Sequence, residues 1–209
     1  MFVRDYMSIN PISVEPNDSI GDALELLKDH SIRRLPVVSK KRLVGLVTET
    51  DLLKASPSPA TSLSIHEINY LYPKIKIRDI MTKDVVTISP DAAIEEAAVM
   101  MREKKFGTLV VEEKGNLVGL ITESDLFKAF IDVFGFDRPG ERIIVAFYDD
   151  KVGELGKLAT FIGSLGIFII SLVITYDADN NAYILMRLKT DDREAVVKEL
   201  KEKGYEVVG

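Results

Sequence analysis

The chain has 209 residues, 46% hydrophobic and 29% charged, the balance of a globular protein with a real core. Its net charge of −6 argues against a basic nucleic-acid surface, and the absence of cysteine excludes disulfides and thiolate metal sites. No stretch is long and apolar enough to read as a membrane span, and Met1-Phe2-Val3-Arg4-Asp5 lacks a signal core, so a cytoplasmic protein is expected.

Ile12-Ser13-Val14 reads as a short extended piece. Pro16 to Ser19 is a turn supplying the cap residues Asn17, Asp18 and Ser19. Ile20, Ala23, Leu24 and Leu27 then recur at the spacing of one apolar helix face, and His30 near its end suits the helix dipole. Arg33-Arg34-Leu35-Pro36-Val37-Val38 reads as a strand whose proline removes one ladder donor and so favours an edge. The polar turn Ser39-Lys40-Lys41-Arg42 leads to a strand over Leu43–Thr48 and a helix from Glu49 to Ala55. Thr48 and Asp51 stand three apart where that helix opens, the spacing of a capping box.

The same order returns 74 positions later without an insertion. Arg4-Asp5 matches Arg78-Asp79, Met7 matches Met81, and Pro16, Ile20 and Ala23 match Pro90, Ile94 and Ala97. Leu43-Val44-Gly45 matches Leu117-Val118-Gly119, and Thr48 and Asp51 match Thr122 and Asp125. Only two copies occur, each too small to bury a sheet face securely alone, so they are expected to pack as a pair. Between them, residues 57–74 form a Ser/Pro linker followed by a short helix capped by Ser64, with Ile65, Ile68, Leu71 and Tyr72 on one face. His66 has no second ligand nearby and is read as an exposed linker histidine.

The duplicated β-α-β-β-α order, the Leu-Pro-Val-Val strand and the Gly-apolar-apolar-Thr-x-x-Asp ending resemble CBS domains, which pair into a Bateman module. The resemblance covers residues 1–56 and 75–133. It implies that the cleft between the copies binds an adenosine-containing ligand such as AMP, ADP, ATP or S-adenosylmethionine. Asp51 and Asp125 would accept the ribose hydroxyls, with Thr48 and Thr122 beside them. Val14, Ile88 and Pro36, on the short strands, would hold the base. A carboxylate can accept from two vicinal hydroxyls, whereas a phosphate needs a cation; Arg33 and Arg34 are the candidates. Gly107 and Thr108 replace them in the second copy, and Thr108 can bond a phosphate oxygen without adding charge, so two unequal clefts are expected. Glu49 and Glu123 read as surface helix residues.

The pattern changes after a boundary at 134–140. Arg142–Tyr148 reads as a strand, Gly153–Gly163 as a helix, Ile167–Tyr176 and Ala182–Leu188 as a hairpin turning at Asp177–Asn181, and Tyr205–Val208 as a last strand. Asp191 and Glu194 have the spacing of a capping box for a helix running to Lys203, with Gly204 as its stop. The β-α-β-β-α-β order over 141–209 is ferredoxin-like. Asp150-Lys151-Val152-Gly153-Glu154-Leu155 resembles the ligand loop of ACT domains, which implies a site for a small metabolite at Asp150, Val152, Gly153 and Leu155. Val152 stands where that signature carries proline, and Phe168 where amino-acid-binding members carry asparagine, so the resemblance points to dimerisation through sheet edges.

The whole order resembles AcuB-type acetoin-utilisation proteins. The sequence therefore predicts an α/β regulatory protein and homodimer, with an adenine nucleotide as regulatory ligand, no catalytic cofactor, no metal and no catalytic residue. A scaffold with vestigial clefts is the alternative. An enzyme is disfavoured because the chain has two isolated histidines, no phosphate-binding glycine loop and no acid pair at catalytic spacing.

Overall fold

The computed structural model describes residues 1–56, 74–147 and 152–209. The expected linker helix from Ser64, His66, Tyr148 and Asp150 lie outside the described residues. The chain divides into two compact units, Met1–Leu126 and Phe127–Gly209.

The first unit holds both copies. The first contains β1 (Ser8–Ile9), α1 (Ile20–Asp29), β2 (Arg34–Ser39), β3 (Arg42–Thr48) and α2 (Glu49–Ala55). The second contains α3 (Ile77–Ile80), β4 (Thr87–Ile88), α4 (Ile94–Lys104), β5 (Thr108–Glu113), β6 (Asn116–Thr122) and α5 (Glu123–Phe134), a helix that continues into the second unit. Ser19 caps α1, accepting from the backbone N–H of Asp22 at 3.1 Å, which removes one orphan donor of its first turn. Ile20, Ala23 and Leu27 face a core with Leu35, Val37, Val47 and Leu52.

The hairpins β2–β3 and β5–β6 turn through pairs of positive-φ residues, Lys40-Lys41 and Lys114-Gly115, as a two-residue loop matched to strand twist requires. Their registers shift at equivalent points, Val37/Val38 and Val111/Glu112. The hairpins meet at Arg42 and Asn116, giving the order β2-β3-β6-β5-β4. Pro36 tolerates its strand because its carbonyl points away from β3, accepting from Val14 at 3.0 Å, so its missing N–H falls on the outer side. Val14 bridges to Val37 in parallel, and Ile88 pairs with Val111 in the same sense.

The copies are not independent. The leading segment of each is built into the other. Ile77 and Arg78 of the second copy donate to the carbonyls of Asp18 and Pro16, while Val3 and Arg4 of the first donate to those of Ala92 and Pro90. Ile77 is fully buried in the first copy's core, a burial worth about 1.5–3 kcal/mol for such a side chain. β1 pairs with β6, and Thr82 bridges to Leu46. Gly45 and Gly119 exist for this exchange. A Cβ on Gly45 would lie 2.6 Å from Met81 Sδ, and one on Gly119 would lie 2.7 Å from Met7 Sδ and 2.9 Å from the carbonyl oxygen of Ser8.

The second unit adds β7 (Glu141–Phe147), α6 (Glu154–Ser164), β8 (Phe168–Tyr176), β9 (Ala182–Lys189), α7 (Arg193–Glu202) and β10 (Glu206–Val207). Its antiparallel sheet has the order β10-β7-β9-β8, and the expected β-α-β-β-α-β succession is the one observed. In β9, Ala182, Ile184, Met186 and Leu188 alternate into a core with Leu158, Ile162, Val196 and Leu200 from the helices. One sequence reading is corrected: Asp192, not Asp191, caps α7, accepting from Ala195 at 2.9 Å. Thr190 Oγ1 accepts from the backbone of Asp192 and holds the chain in a turn there, which delays helix entry by one residue.

Candidate functional site

Both Thr/Asp pairs close capping boxes. Thr48 N and Oγ1 donate to Asp51 Oδ2 at 3.0 and 2.6 Å, and Asp51 N donates back to Thr48 Oγ1 at 3.3 Å. Thr122 and Asp125 repeat this at 2.8, 2.7 and 3.4 Å. Both bonds that each aspartate side chain accepts fall on one carboxylate oxygen, Oδ2. Oδ1 of each aspartate has no hydrogen bond among the described residues and remains free to accept. Helix capping and ligand acceptance are therefore compatible in one side chain, since an ionised carboxylate has about four lone-pair sites.

A cavity of about 810 Å³ lies where the exchanged segments cross, large enough for a nucleotide-sized ligand. The first copy supplies Ser8, Asn10, Pro11 and Ile12 from its lead-in, Ser31 to Arg33 ahead of β2, and Arg34 at the start of β2. The second supplies Gly107, Thr108 and Leu120, with Thr122, Glu123 and Ser124 where α5 opens. Arg34 is half-buried and donates through Nη1 to Thr108 Oγ1, reaching from one copy to the other. Arg33 is exposed.

Of the residues singled out in the sequence, the fold brings Arg33, Arg34, Thr108 and Thr122 to one cavity, with Asp125 bonded to Thr122 behind it. Arg33-Arg34 and their replacements Gly107-Thr108 thus share a single space. Thr48 and Asp51 are half-buried and line no part of it. Val14 and Ile88 are 3% and 6% exposed, and they and the buried Pro36 line no part of it either. Sequence reasoning missed the lead-in wall, Ser8 to Ile12, and the two residues following Thr122. The matched pair Met7 and Met81, which precede the equivalent helices α1 and α4, was the available signal that the repeat begins before its own core.

A second cavity, about 590 Å³, lies on α6 in the second unit and is lined by Gly153, Gly156, Lys157, Thr160, Phe161, Ser164 and Lys203. Gly153, at φ +95°, opens α6 as its N-cap. Val152 is fully exposed and Leu155 partly so, and neither lines this cavity. Among the described residues there is no cluster of three or more His, Cys, Asp or Glu to hold a metal, and no helix long and apolar enough to cross a membrane.

The CBS domain family model matches residues 3–58 and 77–132, more than half of the chain. The chain belongs to the CBS domain family, as a tandem pair. It is 34% identical over 157 residues to the uncharacterised protein MJ1426 of Methanocaldococcus jannaschii, covering 63% of this chain and 92% of that one. It is 36% identical over 117 residues to inosine-5'-monophosphate dehydrogenase of Korarchaeum cryptofilum, where the match covers 56% of this chain but only 21% of the enzyme.

Among solved structures, a putative acetoin utilisation protein (AcuB) of Vibrio cholerae superposes with a TM-score of 0.54 at 30% identity, covering 66% of this chain and 96% of that one. CBSX2 of Arabidopsis thaliana, solved in complex with AMP, gives 0.54 at 30% identity over 66% and 98% of the two chains. The CBS pair of MJ0100, solved with 5'-methylthioadenosine and S-adenosyl-L-methionine, gives 0.52 at 28% identity over 66% and 98%.

Proposed function

We propose that the chain is a regulatory protein that binds a phosphorylated adenosine in the cavity between its two CBS motifs. The observation that carries this reading is the convergence in one cavity of two arginines from the first copy and the Thr122–Ser124 helix opening of the second. Thr122 and the first N–H groups of α5 face the sugar-phosphate, and the free Oδ1 of Asp125 accepts from the ribose. Arg34 meets the phosphate, a charge-assisted bond stronger than its present one to a hydroxyl. The AMP bound by CBSX2 supports the ligand class. Because Arg34 belongs to one copy and Thr122 to the other, a bound ligand ties the copies together and favours one packing of the pair over another.

The second unit is read as an ACT domain, on its strand order and its Val152-Gly153-Glu154-Leu155 loop. β8 is the edge of its sheet and nine residues long, and two copies of the chain would pair along it as a homodimer. The loop is also the place for a small metabolite.

Calorimetric titration of AMP, ADP, ATP and S-adenosylmethionine into wild type, Asp125→Ala and Asp51→Ala tests the nucleotide reading. Binding lost in Asp125→Ala and kept in Asp51→Ala is expected. No heat and no thermal shift with any of the four ligands refutes it and leaves a scaffold with vestigial clefts.

A further inference from the structure

Glu123 and Glu49 occupy the same position in the repeat, the first residue of the helix after the motif threonine. The fold treats them differently. The backbone N–H of Glu49 donates to the carbonyl of Arg33, and that of Glu123 to the carbonyl of Gly107, so each glutamate begins beside the residue ahead of the hairpin. Arg33 carries a side chain at this position and Gly107 carries none. The Glu123 carboxylate lies against Gly107: a Cβ there would lie 3.2 Å from Glu123 Oε2, with Arg34 Nη2 3.7 Å from the same point. Glu123 lines the cavity and Glu49 does not. The cavity lining therefore carries two arginines and one carboxylate, set beside the half-buried Arg34.

Resting on the nucleotide reading above, we infer that Glu123 is a specificity-determining residue that limits the negative charge the cleft accepts, selecting a singly phosphorylated adenosine over its di- and triphosphates. One phosphate ester carries about −1.5 to −2 charge at neutral pH, and each further phosphoryl group adds about one more. Arg33 and Arg34 balance the first phosphate. A second or third phosphoryl group extending over Gly107 meets the Glu123 carboxylate, and a like charge a few ångströms away in a partly exposed site weakens binding by about tenfold. The same lining opposes a sulfonium nucleoside, whose positive charge would face the two arginines.

Affinities for AMP, ADP and ATP are measured for wild type, Glu123→Gln and Glu49→Gln. Glutamine keeps the shape and removes the charge of an exposed side chain. Wild type is expected to prefer AMP, and Glu123→Gln to raise the affinity for ATP relative to AMP by about tenfold, while Glu49→Gln leaves the ratio unchanged. An unchanged ratio in Glu123→Gln, with AMP still bound, overturns this inference and leaves the nucleotide reading standing. An equal change in both variants also overturns it, because it would reflect overall charge rather than position. Wild type that binds no nucleotide removes both.

Discussion

Replacing Gly119 by alanine tests whether the exchange of lead-in segments holds the pair together. Gly119 lies in the middle of β6, buried, and its φ is not positive, so the glycine is there for space alone. A Cβ would lie 2.7 Å from Met7 Sδ and 2.9 Å from the carbonyl oxygen of Ser8. The methionine can swing away because its side chain is flexible. The Ser8 carbonyl cannot, because β1 is held against β6 by the Ser8–Leu120 and Ile9–Gly119 pairs.

Overpacking of this kind costs about 1–3 kcal/mol, offset by about 0.4–1 kcal/mol from the lower entropy of the unfolded chain. Taking the middle of each range, the net loss is about 1.3 kcal/mol, and at roughly 2–4 °C per kcal/mol for a chain of this size melting falls by roughly 3–5 °C. Differential scanning calorimetry reads this directly. Gly163→Ala is the control: it is the next-to-last residue of α6, and a Cβ there meets nothing within 4 Å. That variant is expected to melt at or slightly above the wild-type temperature, with at most about 0.5 kcal/mol gained from helix propensity at this end position. Because Ser8 to Ile12 form a wall of the cavity, Gly119→Ala is also expected to weaken nucleotide binding in proportion to the displaced lead-in. Melting of Gly119→Ala at or above the wild-type temperature would refute the packing argument.

Three further predictions follow from particular contacts. Thr122→Ala removes the hydroxyl that accepts from Asp125 N and is expected to cost about 1 kcal/mol by denaturant titration. Leu52→Ala empties a fully buried position in the first copy's core and is expected to cost about 2–5 kcal/mol by the same measurement. In the β8–β9 turn, hydrogen bonds from the Asn181 side chain and backbone, with further ones from Tyr183 and Asp179, hold the Asp177 carboxyl below its ordinary range, and the same contact raises the Tyr183 phenol. A depressed folded pKa means that the turn's stabilisation is complete above the ordinary carboxylate value and is lost as pH falls through the lowered one. The protection of the Asp179 and Asn181 amides, expressed relative to intrinsic exchange at each pH, should therefore fall as the Asp177 carboxyl protonates in acid, and Asp177→Asn should remove that change in protection.

The sequence reported well wherever a contact is local. Turn residues, helix faces and caps lie within four residues of one another, so Ser19, the Lys40-Lys41 turn and both Thr/Asp boxes could be read directly. The cap on α7 was misplaced by one residue because Asp191 and Asp192 are both competent acceptors, and only the Thr190 turn distinguishes them. The sequence could name candidate site residues but not how they assemble. Arg34 and Thr108 are 74 residues apart, and nothing in either copy alone states that one reaches the other.

By itself the sequence determined that a unit is duplicated, that each copy folds as strands and helices in a fixed order, and that threonine, aspartate and arginine are available at its loops. These follow from periodicity and local hydrogen bonding, which act over a few residues. Only the tertiary structure decided that each copy's lead-in completes the other, that Arg33-Arg34 and Gly107-Thr108 open into one cavity that Thr48 and Asp51 do not reach, and that Glu123 faces it while Glu49 does not. The physical reason is that these outcomes depend on which side chains leave space at a crossing of distant segments. The missing atoms of Gly45, Gly107 and Gly119 set that space, and their neighbours are far from them in the chain.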